Sequence, residues 1–376
     1  MKNRYLCTNT LPYFLYMRKI VEAFFVFIIL TAALSCTPRD RYMTITGFAQ
    51  GGTYTVKFNM NGRDGMISAK PQEIKDSVDN ILKNIDMSLS GYNRKSLLTR
   101  FNEGHAIVPD SLFLDIYEHA YDIYDETSGI VDVASAPLFD LWGFGFTSDS
   151  LPSADEIAQV KAASGMGRLN RNIRASVRND GTIKGADLLP DGSGASPELN
   201  YNAIAQGYSC DVVARYLYSI GVKDMLVDIG EIFCDGKNPK GLPWSLGIDR
   251  PEDGNNEPGT QLQGVFRAPE GPHGIVTSGN YRKFYVRDGR KYAHTIDPRT
   301  GMPVQHSLLS ATVVAENAMI ADAYATYCMV VGLDEAIKYI ESRPDMEGCL
   351  IYDDGGVFRT WCSDGFALEE VPTSEK

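Results

Sequence analysis

The chain has 376 residues, 44% of them hydrophobic and 22% charged, which suits one large or two moderate globular domains and excludes a disordered polymer. Its formal net charge of -12, with no local cluster of lysine and arginine, excludes a protein that works by neutralising nucleic-acid phosphates. An acidic catalytic or binding domain is the class that remains.

From Met17 the chain reads MRKIVEAFFVFIILTAALSC: basic residues, an uncharged apolar run from Ala23 to Leu34, then Ser35 and Cys36. That is the layout of a secretory signal, short for a membrane span, and translation from Met17 would suit it. A small residue directly before a cysteine also matches a bacterial lipoprotein cleavage site, at which Cys36 is acylated and becomes the first residue, although Ala33 stands where leucine is usual. The expectation is a signal over residues 1–36, a tether over 37–43 and one extracytoplasmic, lipid-anchored domain over 44–370. An uncleaved anchor and plain secretion are the alternatives.

The stretch QGGTYTVKFNM alternates Thr53, Thr55 and Lys57 with Tyr54, Val56 and Phe58, the pattern of a half-buried strand. Pro71 opens a segment with apolar residues at Ile74, Val78, Ile81, Leu82 and Ile85, which is helical spacing. A second helix is predicted through SLFLDIYEHAYDIYDETSG, ended by Gly129. Between Gly165 and Asn200 a run rich in Gly, Asn, Asp and Ser predicts a hairpin near Ile173 to Ile183 and then a loop. AIAQGYSCDVVARYLYSIGV predicts a helix capped by Gly221, with strands following around Met225 to Ile229 and Trp244 to Ile248. Strand, turn and strand run through YAHTIDPRTGMP, then LLSATVVAE and a helix from about Asn317. No internal repeat is visible, and strands and helices mix without regular βαβ alternation, so the fold class is α+β.

With Cys7 and Cys36 set aside, Cys210, Cys234, Cys328, Cys349 and Cys362 remain; the number is odd and no CxxC occurs. The pattern supports neither a disulfide framework nor a zinc cluster. The helix NAMIADAYATYCMVVG says more. From Ala318 to Gly332 its one charged residue is Asp322, and a helix apolar nearly all round is buried. A buried carboxylate needs a partner. Thr326 lies one turn on along the same face, so two oxygens point at one place, which suits a hard cation such as Mg²⁺. Pairing of Asp322 with a buried arginine, with Thr326 bonding its own helix, fits the composition equally. In YAHTIDPRTGMP, Pro298 and Gly301 are turn residues, whereas His294 is either a general base or a histidine bonded to the turn backbone.

Taken in order, QGGTYTVKF, SLSGYNRKSLLTRFN, GIVDVASAPLFDLWGFG, LNYNAIAQGY, LVDIGEIFCDGKNPKGLPWSLGIDRP, TSGNYRKFYVRDGRKYAHTIDPRTGMPV and LLSATVVAENAMIADAYAT resemble the blocks of the ApbE-type FAD:protein FMN transferases, from about Thr44 to Trp361. The resemblance implies a T-fold-like α+β architecture of two related subdomains with FAD between the halves. It implies an extracytoplasmic enzyme, often a lipoprotein, that with Mg²⁺ cleaves FAD, transfers FMN to a threonine or serine of an acceptor protein and releases AMP. Membrane electron-transfer subunits are the implied acceptors. Block by block, Asp322 and Thr326 match side-chain metal ligands and Ala203 a position giving its backbone carbonyl. Tyr92 matches an aromatic at the flavin; Ile130, Val131 and Asp132 match a segment lining FAD; Ile296, Asn200 and Gln206 fall at further FAD contacts. His294 matches the family's histidine before Asp-Pro and is the candidate base for the acceptor hydroxyl, while Asp297 is expected to brace the turn.

Departures fall mainly around FAD. Gln50 stands where methionine is usual, Asn200 where aspartate is usual, Gln206 where a lysine or acid is common, and Ala325 where some members supply a third acidic ligand. The loss of charge bears on FAD affinity and keeps two other readings open: an FAD pyrophosphatase giving FMN and AMP, and a flavin-holding lipoprotein with little turnover. DGSGASPE, Asp191 to Glu198, partly resembles an acceptor motif with Ser196 at the modified position, against a plain Gly/Ser loop.

Overall fold

The structure, a computed structural model, describes residues 41–144, 151–190, 192, 197–252, 254–255, 259–280, 284–287 and 290–371. The expected amino-terminal signal and lipid anchor, and Ser196 of the acceptor-like loop, lie outside the described residues. The folded unit begins at Tyr42.

Its frame is one antiparallel sheet of eight strands. In chain order these are β1 (Tyr42–Ala49), β2 (Gly52–Asn59), β3 (Met225–Asp228), β4 (Ile232–Asp235), β7 (His273–Gly279), β8 (Leu308–Ala315), β9 (Glu347–Asp354) and β10 (Val357–Cys362), and they lie in that spatial order. Between β4 and β7 the chain makes β5 (Ser245–Asp249) and β6 (Leu262–Arg267), which with β11 (Leu368–Glu370) form a separate three-stranded sheet.

The expected elements are present: the strand at Gly52–Asn59 and the helices α1 (Pro71–Leu89), α3 (Ser111–Glu126), α6 (Ala205–Ser219) and α7 (Ala318–Val331). Shorter helices α2 (Leu97–Asn102), α4 (Ala136–Leu141), α5 (Ala154–Ala163) and α8 (Leu333–Glu341) complete the set used here. Gly129 (φ +79°) and Gly221 (φ +93°) take the left-handed conformation that ends a helix at low cost. The predicted hairpin near Ile173 to Ile183 does not form. Asn172 instead caps a 3-10 turn at Ile173–Ser176, and Ile183 makes a single bridge to Ile107. Both Ile173 and Ile183 are buried, so apolar anchoring rather than strand pairing sets that segment.

The topology carries a repeat that the sequence hides. Strands β1 and β2, helices, then β3 and β4 make one half; β7 and β8, helices α7 and α8, then β9 and β10 make the other. The halves join where β4 pairs with β7, Ile232 opposite Ile275. Because successive side chains on a strand face opposite ways, alternate residues divide between two cores. Phe233, Val276, Val313 and Leu350 face the helices; Cys234, Ile275, Val314, Cys349 and Ile351 pack with Trp244, Leu246 and Phe266 of the small sheet. A sheet covered on both sides explains why β8 is apolar along most of its length rather than alternating.

Helix α7 packs against β7, β8, α6 and α8, and buries nearly every side chain it has, Asp322 included. Its start lies so close to β7 that a Cβ at Gly274 would sit 2.2 Å from the Asn317 carbonyl. Replacing Gly274 with alanine must therefore push α7 from the sheet. The expected cost is about 1–3 kcal/mol, read as a lower urea midpoint; an unchanged midpoint would show that the helix is not seated on the strand.

Candidate active site

The site is built from two facing helix N-termini. Helices α6 and α7, one from each half, touch where a Cβ at Gly207 would lie 2.3 Å from the Ala318 carbonyl oxygen, so only glycine permits the approach. At this crossing each helix gives an aspartate to the other. Asp211 of α6 accepts from the Ala318 and Met319 N–H groups, both at 2.9 Å, and so caps the start of α7. Asp322 of α7 accepts from the Gly207 N–H at 3.2 Å in the first turn of α6.

The exchange is unequal. Asp211 has two N–H donors, and burial raises its pKa to about 6, offset in part by those bonds. Asp322 has one and is more deeply buried; desolvation raises its pKa well above the usual value, with the nearby Asp211 adding to the rise. Among the described residues its one hydrogen-bond donor is the Gly207 N–H, and no arginine pairs with it. The Gly207 N–H that serves Asp322 leaves the Ala203 carbonyl, four residues earlier, without a hydrogen-bond donor among the described residues; neighbouring first-turn bonds run from Ala205 to Tyr201 and from Tyr208 to Ile204. Thr326 stands one turn beyond Asp322 on α7, half-buried. Among the described residues no group of three or more His, Cys, Asp or Glu side chains could hold a metal. A cation here would be held by one carboxylate and neutral oxygens, a hard donor set.

The remaining predicted residues ring these helix ends, each held by an identifiable contact. Gln50 (φ +51°) and Gly51 (φ +81°) make the two-residue turn between β1 and β2, with both φ values positive as such hairpins require. That turn carries Gln50 to α6, where its amide donates to Ser209 Oγ. Gln206, also on α6, donates to the Ile229 carbonyl beside Gly230. Tyr92 is 65% exposed, its hydroxyl accepting from Asn202 Nδ2 at 3.0 Å, and presents an open ring near the segment leading into α6. Asn200 donates its N–H to the Val133 carbonyl and accepts from the Asn202 N–H, tying that segment to 130–133. Ile130 and Val131 turn their side chains into the core.

Asp132 is a clamp within this ring. Its carboxylate accepts from the N–H groups of Ala134 and Met166, and burial raises its pKa to about 6. The YAHTIDPRTGMP turn is braced on three sides. Trp142 donates its indole N–H to the Gly301 carbonyl at 2.7 Å, Lys161 donates to the Arg299 carbonyl, and Asp297 pairs with the Arg299 guanidinium and accepts its N–H. Asp297 thus braces the turn, as expected. The short strand Ile296–Asp297 lies against α7, and Ile296 packs in a small apolar cluster with Trp142 and Ile157. His294, half-buried, precedes it; next to it Thr295 donates to Asn280, whose own N–H bonds Leu309 on β8.

Comparison with known proteins now decides the family. The family model described as "ApbE family" matches residues 51–350. The chain belongs to the ApbE family. A curated relative from Escherichia coli strain K12, named FAD:protein FMN transferase, is 33% identical over 311 residues, covering 80% of this chain and 83% of its own. Two solved family structures are similar in fold. The flavin transferase from Vibrio cholerae has a TM-score of 0.69 at 28% identity, over 86% of this chain and 98% of its own. The apo flavinyl transferase from Pseudomonas stutzeri has a TM-score of 0.71 at 29% identity, over 86% and 95%. The ApbE-like α+β fold expected from the sequence is therefore the fold of this chain.

Sequence reasoning passed over Asp211, Asn202 and Arg299. Asp211 carried a readable signal, an acid one turn after Gly207 on the apolar face of a predicted helix. Asn202 and Arg299 act through contacts that only the fold creates.

The pKa of Asp132 yields a pH test. In the folded chain the acid keeps its proton up to about 6, against 3.8 as the ordinary value, so the folded state binds more protons between those limits. Stability from this group is then highest below about 4 and falls as pH rises through about 6. Asp132→Asn should flatten the pH dependence of unfolding free energy across that window by about 2–3 kcal/mol relative to wild type. Equal slopes in the two proteins would contradict the burial-raised pKa of Asp132.

Proposed function

We propose that this chain transfers FMN from FAD to a threonine or serine hydroxyl of an acceptor protein in a Mg²⁺-dependent reaction, releasing AMP. The observation that carries the reading is the buried Asp322 with a single donor, the Gly207 N–H, four residues beyond an Ala203 carbonyl that accepts no hydrogen bond among the described residues. The names of the family relatives supply the reaction class.

In this reading Asp322, Thr326 and the Ala203 carbonyl would hold the cation, which resolves the cost of burying an ionised carboxylate. When bound, Mg²⁺ supplies charge neutralisation for a pyrophosphate and its leaving group. The chain's own residues do the rest. Tyr92 offers its exposed ring to the isoalloxazine. The main chain of 130–132, together with Asn200, Gln206, Gln50 and Ile296, forms the walls that hold FAD. Three of these, Gln50, Asn200 and Gln206, carry no charge, so recognition rests on amide hydrogen bonds and apolar contact rather than on ion pairs. His294 takes the proton of the acceptor hydroxyl at its ring nitrogen as that oxygen attacks the FMN phosphorus. Its position one residue before the Thr295–Asn280 bond fixes the backbone from which it acts. Phosphoryl transfer asks of a protein mainly this, positioning with charge control.

The same reading places the chain outside the cytoplasmic membrane, held by acylated Cys36, with a membrane electron-transfer subunit as acceptor. Its support is the MRKIVEAFFVFIILTAALSC segment. Among the described residues no helix is long and apolar enough to cross a membrane.

The test mixes the purified chain, FAD, Mg²⁺ and an acceptor domain, and reads the FMN mass added to the acceptor together with AMP. Wild type should give both in equal amounts. Asp322→Ala should abolish turnover, and His294→Asn should cut kcat by about 10²–10⁴-fold with FAD binding retained. FMN released equally with and without acceptor would replace transfer by pyrophosphatase activity; full activity in Asp322→Ala would overturn the metal assignment.

A further inference from the structure

Away from the flavin site, the hairpin of β9 and β10 sets two thiols directly opposite each other. Cys349 and Cys362 are register partners, and their Sγ atoms, both free thiols, lie 3.0 Å apart. We propose that Cys349 and Cys362 form a disulfide that staples the outer strand of the large sheet to its neighbour when the chain meets a disulfide-bearing oxidant.

Directly opposed residues of an antiparallel pair have Cα atoms about 4.5–5.5 Å apart, within the range of about 4.4–6.8 Å that a disulfide spans. No backbone movement is needed. Access is one-sided: Cys349 is buried beneath the small sheet, whereas Cys362 is partly exposed and can be the attacking sulfur. The hydrogen-bonding contact with the Cys349 sulfur lowers the pKa of Cys362, which favours its thiolate. The other thiols offer no competing pair. Cys210 sits in α6 and donates to the Glu231 carbonyl, Cys328 is buried in α7, and Cys234 on β4 is three strand spacings from β9, roughly 14 Å.

The chemistry is thiol–disulfide exchange with a low-molecular-weight or protein disulfide. The Cys362 thiolate attacks one sulfur of the oxidant and expels the other as a thiol. Cys349 then attacks the mixed disulfide, forming the Cys349–Cys362 bond and expelling the second thiol. The two cysteines lose two hydrogens and two electrons, and the oxidant becomes two thiols. The link answers a structural need, since β10 is an edge of the large sheet and an edge strand exposes an unpaired ladder.

To test it, the reduced purified chain is incubated with oxidised glutathione, once folded and once during refolding from denaturant. It is then unfolded, alkylated, digested and mapped by mass spectrometry. The expected result is a peptide containing Cys349 joined to one containing Cys362, with Cys210, Cys234 and Cys328 alkylated. Reduction should release the pair and lower the melting temperature by roughly 5 °C, a shift absent in Cys362→Ser. Full alkylation of both sulfurs in both arms, glutathione retained on Cys362, or a link to any other cysteine would overturn the proposal; the map reads this without the variant.

Discussion

Two helix N-termini that each receive an aspartate from the other fix everything else about the site. An N-terminus leaves N–H groups without partners and carries partial positive charge, so a carboxylate placed there is stabilised while it satisfies them. Asp211 fills that role for α7 with two bonds. Asp322 does the same for α6 with one, at greater depth. The difference between the two acids is what the proposed cation site rests on: one end of the exchange has two donors, and the other has one, four residues beyond a carbonyl that accepts no hydrogen bond among the described residues.

The surrounding architecture serves that contact. Gly207 removes the side chain that would separate the helices, and Gly274 lets α7 lie on β7. Packing between β7, β8, α6 and α8 keeps α7 out of water, so the dielectric around Asp322 is low and its charge matters. The residues to which the proposal assigns the flavin, by contrast, come from turns and loops: the β1–β2 turn, the segment before α6, the 130–133 segment and the turn after His294. Loops held by a rigid frame are where recognition residues usually stand. Here each is pinned by a specific bond, from Gln50 to Ser209, Asn200 to Val133, or Trp142 to Gly301.

How much of this the sequence displayed follows from the range of each interaction. Helical spacing from Ile74 to Ile85, alternation from Thr53 to Phe58, and the glycines that end helices are local signals, and all were legible. Asp322 was legible because one charge in an apolar helix is a local anomaly. Its partner was not, since the choice between an arginine and the Gly207 N–H depends on a residue 115 positions away. The region from Ile173 to Ile183 misled because apolar residues flanked by turn formers read as a hairpin, whereas tertiary burial of the two isoleucines won. The opposition of Cys349 and Cys362 was likewise illegible: they show no spacing signature, and only the register of β9 with β10 brings them face to face. The repeat of the two halves leaves no trace in the sequence because topology constrains burial pattern and not residue identity.

The central claim is that Asp322 is a charge buried for a metal rather than for the fold. Thermal unfolding of wild type and Asp322→Asn, each with and without Mg²⁺, tests it most directly. Without metal, the neutral variant should be at least as stable as wild type, because it relieves a buried, under-bonded carboxylate. With metal, wild type alone should gain melting temperature, since only it binds the cation in the folded state. A metal-free variant well below wild type, or an equal Mg²⁺ response in both proteins, would contradict the account.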